Sequence, residues 1–381
     1  MTARVARRFK FLEQGAIAWP ELDPVLLVLV VLLPLVGVVA VATASMPAAA
    51  EEVDPSGAST LRHLVIALAG VGVALVASQI DYHHFGERSW IGYFLVIGLL
   101  ILVLLPGAAV AGGPKRWLDL PLLNFQPSEL AKPVLIIHLS FWAAKLGPKL
   151  TQPRWFATGV AVAALPIALI IIQPDLGTAG LICITAIAVA ITAGAKVIHL
   201  LALIPLGAAV GAISVFANPY QLTRVRTFIG LEGSPLDSGY QSQQALLALG
   251  SGGIGGKGLG LGTVKSWLPA AHTDSVFAVI GEEFGLIGTG LLLLTFLILL
   301  ARGLWVATHS SDLLGRCLAA GISFQIATQA FVNMGVAVGL FPVTGVPLPF
   351  VSSGGTSLLV SLAMMGILIN IARSTTLRKT A

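Results

Sequence analysis

The sequence predicts an all-α membrane protein, a polytopic helical bundle of about ten transmembrane helices with one long extracytoplasmic loop. Three observations predict it. Of 381 residues, 56% are hydrophobic and only 10% are charged. A soluble domain carries about 25% charged residues, so this chain has too little charge to cover a water-facing surface. Ten apolar runs approach the ~20 residues that cross a bilayer as a helix. Basic residues sit at the ends of those runs and form no stripe with aromatics, which argues against a nucleic-acid partner. The net charge is +5.

The spans are predicted near 24–45, 62–80, 90–110, 127–145, 155–173, 175–194, 196–216, 275–301, 312–338 and 354–373. Lipid offers the backbone no hydrogen bonds, so such spans pack as helices. The transmembrane domain is thus 24–373, between a tail at 1–23 and a tail at 374–381. Arg4, Arg7, Arg8 and Lys10 are followed by a mixed stretch with Glu13, Glu21 and Asp23, not by a short apolar region and a cleavage site. That pattern reads as a cytoplasmic tail and an uncleaved first span. With the N-terminus inside, the inner segments hold fourteen Lys and Arg residues and the outer ones seven. The asymmetry places both termini in the cytoplasm and the 217–274 loop outside. Cys183 and Cys317 lie in apolar runs and read as small core residues.

A loop as long as 217–274 is uncommon and usually functional. It holds an amphipathic stretch, Tyr240 to Leu249, and then the run SGGIGGKGLGLG from Ser251. Gly253 to Gly258 matches G-x-G-x-x-G, but no strand precedes it, and the phosphate-loop pattern also fails. A flexible or re-entrant loop that dips into the membrane surface is the expectation. No nucleotide site is visible, so a glycosyl or phosphoryl donor would arrive on a lipid.

Polar groups gather where spans meet the outer face. Pro269-Ala-Ala-His272-Thr273-Asp274 opens span eight. Thr273 or Asp274 could cap that helix. Asp274 beside His272 could equally be a general base toward a sugar hydroxyl, or hold a divalent cation such as Mg or Mn. Glu282 and Glu283 lie deeper in the same span. Helical geometry puts Glu282 nearer the Asp274 face, where it would line the same cavity; bonding to a neighbouring element is the alternative. Lys115, Arg116 and Trp117 precede FQPSELAK. There Pro127 suits a first helical turn, and Lys132 has Glu129 three residues back as an intrahelical partner. Gln173-Pro174-Asp175 repeats this pattern at span six. The basic residues could hold a pyrophosphate or simply anchor at the interface. Pro342 to Ser357 breaks regular helix, and its Ser352, Ser353, Thr356 and Ser357 could donate to a head group or only pack and cap.

Together these segments resemble the SEDS family, the shape, elongation, division and sporulation proteins of bacteria. The motifs KRWLDL with FQPSELAK, QPDLGTA, YQSQQALLALGSGG, LPAAHTDSVFAVIGEEFGLIG and PVTGVPLPFVSSGGTS carry the resemblance in family order over nearly the whole chain. The resemblance implies a peptidoglycan glycosyltransferase that polymerises lipid II on the outer face of the cytoplasmic membrane. It implies a class B penicillin-binding protein as transpeptidase partner, undecaprenyl-pyrophosphate-linked glycan as the bound polymer, and further division or elongation proteins. It implies Asp274 as the catalytic base. Lys115, Arg116, Trp117, Lys132, Asp175 and Glu282 fall on motif positions and would face the substrate, together with His272, Ser352, Ser353 and Thr356. The YQSQQALLALGSGG segment looks more like the division branch than the elongation branch. Ser353 departs from the family, which often has tyrosine there.

Two other functions compete with the enzyme. A flippase for the same precursor needs a polar path across the membrane, whereas the polar clusters here gather at outer boundaries. A pure scaffold predicts that Asp274 is dispensable.

Overall fold

The computed structural model describes residues 22–45, 57–107, 116–119, 124–231 and 238–380, with side chains to Thr375. Its helices are α1 (Pro24–Ala44), α2 (Ala58–Gln79), α3 (Tyr82–Glu87), α4 (Ser89–Leu102), α5 (Pro127–Leu146), α6 (Pro153–Ile172), α7 (Leu176–Thr192), α8 (Val197–Leu201), α9 (Leu203–Ala217), α10 (Pro219–Phe228), α11 (Ser238–Gly252), α12 (Val276–His309), α13 (Leu313–Ala337) and α14 (Gly355–Thr380). Eight helical segments are long and apolar enough to cross a membrane, with α8 and α9 together forming one of them, and α4 and α7 are shorter apolar helices. Helices therefore stand in all ten predicted regions, the third ending at Leu102 where the prediction ran to 110, and the chain is a multi-pass membrane protein. Both predicted tails lie mostly outside the described residues or side chains.

Burial ranks the helices. α13 and α14 form the centre; α13 packs on α12, α7 and α5, and α14 packs on α2. Small residues make this possible: Ala319, Ala320 and Ser323 in α13 are almost wholly buried, and small side chains let helix backbones approach closely where lipid supplies no hydrophobic drive. No residue of α9 is buried. Between α9, α6 and α7 lies a cavity of about 480 Å³, lined by apolar residues such as Ala163, Ile167 and Ile204. Cys183 lines it and is exposed, unlike the buried Cys317. The expectation that both cysteines are core residues thus holds only for Cys317, because α7 turns one face toward this cavity.

The structure corrects three sequence expectations. Span eight was expected to end at 301, before Arg302, yet α12 continues to His309. Arg302 does not end it because Asp23 neutralises the charge at 2.6 Å, and the guanidinium stacks on Trp305. The 217–274 loop carries α10, α11 and a short 3-10 turn. A two-stranded antiparallel pairing, β1 (Leu118–Asp119) with β2 (Asn124–Phe125), precedes α5.

The glycine-rich run folds back against α12 and is tightly held. α12 breaks at Gly285, whose φ is 64°. A break at that depth frees backbone groups that lipid cannot satisfy. The run supplies the partners. Lys257 and Gly258 N–H donate to the carbonyls of Glu282 and Glu283 at 3.0 Å, and Leu286 and Ile287 N–H donate to those of Gly253 and Ile254 at 2.9 and 3.2 Å. The backbones lie so close that only glycine fits. A Cβ on Gly256, which has φ +80°, would stand 2.1 Å from the Glu283 carbonyl oxygen.

Gly256→Ala should therefore destabilise the folded chain by at least about 1–3 kcal/mol, the usual cost of a strained backbone position. Gly255→Ala, where nothing lies within 4 Å, should be near neutral. Thermal unfolding of the purified variants in detergent, with equal midpoints as the contrary result, checks this.

Candidate active site

The site is assembled on irregular backbone between α13 and α14. Residues 339–354 leave helix geometry, with Phe350 at φ 66° and Gly345 at φ 70°. Side-chain amides replace the missing helical bonds. Asn333 Nδ2 donates to the carbonyls of Asp274 and Val346, both at 2.9 Å, and Gln329 Nε2 donates to that of Pro347 at 2.9 Å. Ser352 Oγ donates to the Thr273 carbonyl at 2.6 Å, and Ser353 N–H to that of His272 at 2.8 Å. The turn before α12 is thereby tied to this segment along its length. Gln241 of α11 holds it from the other side, donating to Ser275 Oγ at 3.1 Å.

Asp274 does not cap α12. The N-cap residue is Ser275, with no side-chain cap bond, and Thr273 Oγ donates backward to Ala270. The Asp274 carboxylate is half-buried and makes no hydrogen bond or ion pair among the described residues. Its Oδ2 lies over Gly345, 3.6 Å from where a Cβ would stand. Burial raises its proton affinity above the usual carboxylate range; Arg224 and Arg116 oppose this through space, and Asp175 adds to it. A carboxylate that is reachable, unpaired and more basic than usual is suited to accept a proton near neutral pH.

The other predicted site residues divide by burial. Arg116, Trp117, His272 and Ser353 are half-buried, so ligand can reach them. Lys115 lies outside the described residues. Lys132, Asp175, Glu282, Ser352 and Thr356, also expected to face the substrate, are buried and bonded to protein. Asp175 caps α7 through Thr178 N–H at 3.2 Å and accepts from Gln126 at 3.1 Å, with Arg116 standing 3.8 Å away. Thr356 Oγ donates to the Asn124 carbonyl at 3.1 Å and so fastens β2. Ser352 Oγ is consumed by the Leu348 N–H and Thr273 carbonyl.

Glu282 was expected to line the cavity with Asp274 and instead grips the loop. Its carboxylate accepts from Thr263, Val264 and Lys265 N–H and from Lys257 Nζ, all within 3.1 Å. Glu283 pairs with Lys265 Nζ at 2.9 Å. Both acids therefore lock the re-entrant segment onto α12. No cluster of three His, Cys, Asp or Glu residues fit to hold a metal occurs among the described residues. With Asp175 already bonded and the charges of Arg224 and Arg116 acting on Asp274 through space, the described residues do not build a site for the divalent cation.

Sequence reasoning missed Arg224 of α10 and the amides of α13. Arg224 Nη1 donates to the Val343 carbonyl at 2.9 Å, Nη2 bonds the Tyr220 hydroxyl, and the guanidinium lies over the Tyr220 ring. Asn218-Pro219 was the available signal, an N-cap followed by proline in the first turn. Gln325, Gln329 and Asn333 recur every four residues in an otherwise apolar helix, which marks an inward polar face.

Lys132 is held by Glu129 and Gln329, each at 2.7 Å, as the i,i+3 spacing predicted. Removing one partner of a buried pair strands the other charge, at a cost of about 3–5 kcal/mol. Lys132→Met should thus be severely destabilising, and Glu129→Gln in the same chain should recover much of the loss. Unfolding midpoints of the single and double variants measure the coupling; additive losses would remove the pairing argument.

Comparison with known proteins gives a consistent picture. Residues 24–377 match the FtsW/RodA/SpoVE family model, described as cell cycle protein. A probable peptidoglycan glycosyltransferase FtsW from Geobacter sp. (strain M18) is 38% identical over 353 residues, covering 92% of this chain and 96% of the relative. The stage V sporulation protein E of Bacillus subtilis (strain 168) is 37% identical over 358 residues, covering 92% and 97%. A solved chain, from a study of how a peptidoglycan synthase complex coordinates polymerization and crosslinking, superimposes with a TM-score of 0.78 at 28% identity, covering 94% of this chain and 99% of that one. With helices in all ten predicted regions, eight of them long and apolar enough to cross a membrane, and a family match over residues 24–377, the chain belongs to the FtsW/RodA/SpoVE family, the SEDS proteins its motifs resemble.

Proposed function

We propose that the chain is a peptidoglycan glycosyltransferase that polymerises lipid II on the outer face of the bacterial cytoplasmic membrane, for septal or side-wall synthesis. The observation that carries the reading is Asp274: a carboxylate at the mouth of α12, without a protein partner among the described residues, held by its backbone. Asp274 takes the proton of the acceptor sugar hydroxyl as that oxygen attacks the anomeric carbon of the donor. The bond from that carbon to the lipid diphosphate breaks, and undecaprenyl diphosphate leaves. Single displacement inverts the anomeric centre. The apolar cavity beside α9 suits part of an isoprenoid chain.

The excess of Lys and Arg in the assigned inner segments supports both termini being cytoplasmic. Relatives named for peptidoglycan glycosyltransferase activity, and the neighbour from a synthase complex, support a class B penicillin-binding protein as partner. The described residues do not favour the transporter reading. The polar column from Lys132 through Gln329 and Gln325 to Thr185 is bonded throughout, and the cavity beside it is only about 10 Å³, at the lower limit for one water.

Asp274→Ala and Asp274→Asn should lower polymerisation by about 10²–10⁴-fold, the usual worth of a general base. The assay is the purified chain with its partner and lipid II; polymer from Asp274→Ala at the wild-type rate rejects the base. Because the base works deprotonated and burial raises its proton affinity, the rate should climb with pH through an apparent pKa above the ~4 of free aspartate. A rate that stays flat down to pH 4 would contradict the assignment.

A further inference from the structure

Arg224 has no role in the reading above, and its surroundings suggest one. Arg116, Asp175, Arg224 and Asp274 influence one another electrostatically, yet the only ion pair among them within 4 Å is Arg116 to Asp175. Asp175 is already committed to Thr178 N–H, Gln126 and Ser128, so it satisfies Arg116 only loosely, at 3.8 Å. Arg224 spends one nitrogen on the Val343 carbonyl and one on the Tyr220 hydroxyl. Each arginine also keeps a buried Nε–H with no acceptor. A buried donor without a partner is costly, and two guanidiniums that feel each other's charge and are short of acceptors call for an anion.

The geometry points to Arg224, with Arg116, as a clamp for the diphosphate of the lipid-linked donor. This rests on the glycosyltransferase reading and adds the group that receives the leaving charge. Guanidinium forks match phosphate oxygens in pairs, and a cation placed where charge develops stabilises the transition state without reorganising. Arg224 is delivered by α10, whose side chains reach two distant carbonyls, that of Val343 through Arg224 itself and that of Pro174 through Gln221 Nε2 at 2.7 Å. Those contacts separate binding from docking of the helix.

The test uses the full chain with its partner in nanodiscs, binding undecaprenyl diphosphate and undecaprenyl monophosphate separately. Wild type should prefer the diphosphate. Arg224→Gln should bind the diphosphate at least about tenfold more weakly, the typical loss with one charge-assisted contact, and bind the monophosphate nearly as before. Arg224→Lys should fall between them, and serves if Arg224→Gln does not fold. Gln221→Ala, which loosens α10 alone, should keep the preference. Undiminished diphosphate preference in the Arg224 variants overturns the clamp, as does an equal loss in Gln221→Ala. Wild type that polymerises lipid II without preferring the diphosphate also overturns it while leaving the enzyme standing. Wild type that does neither removes both readings.

Discussion

Everything at the mouth of α12 depends on how residues 339–354 stay irregular inside a bundle. Helices cross lipid because they satisfy their own backbone, so any other conformation needs outside donors. Here those donors are Gln329, Asn333 and Arg224, reaching the carbonyls of Pro347, Val346 and Val343. Asn333 is the pivotal one, because its amide also reaches the Asp274 carbonyl. One side chain on a rigid central helix therefore fixes both walls of the site. Its truncation would strand two buried carbonyls, and each stranded group costs about 1–3 kcal/mol.

The charges near this mouth do two different jobs, and burial separates them. Lys132, Glu129, Glu282, Glu283 and Lys265 are sealed from solvent and paired. They brace α5 against α13 and the re-entrant loop against α12. Asp274 and Arg116 are reachable, and neither is fully bonded. Ionised groups left short of partners are destabilising in a fold, so their persistence at one place marks where a polar ligand completes the set.

The spans were legible because a length of apolar residues is a direct physical requirement of the bilayer. The mouth of α12 was legible for a related reason: a carboxylate placed next to a long apolar run stands out. What the sequence could not separate was direction. Glu282 and Asp274 lie on overlapping faces of an ideal helix, and only the break at Gly285, paired with the glycine run, reveals that Glu282 turns toward residues 257–265. Lys132 and Thr356 look like head-group ligands until the amides of α13 and the β2 strand are brought alongside by contacts distant in sequence. Arg224 was hidden by the opposite error, since a segment read as loop conceals an i,i+4 pairing that exists only once α10 forms.

The break in α12 also explains how the turn carrying Asp274 can be rigid at the edge of a membrane. Gly285 frees backbone groups that a continuous helix would have used, and the glycine run 253–258 takes them up. That ties the re-entrant loop to the helix about 13 Å below its start, at 1.5 Å per residue. Glu282 adds bonds to Thr263 and Val264, and α11 reaches back through Gln241 to Ser275. The turn carrying Asp274 is thus held by residues 241–265 on one side and 339–354 on the other. In the proposed role as base, Asp274 is fixed by its backbone on two sides, which leaves its carboxylate free to meet a substrate without a large ordering cost at the moment of reaction. The glycines that look like a nucleotide fingerprint therefore anchor the platform on which that carboxylate stands.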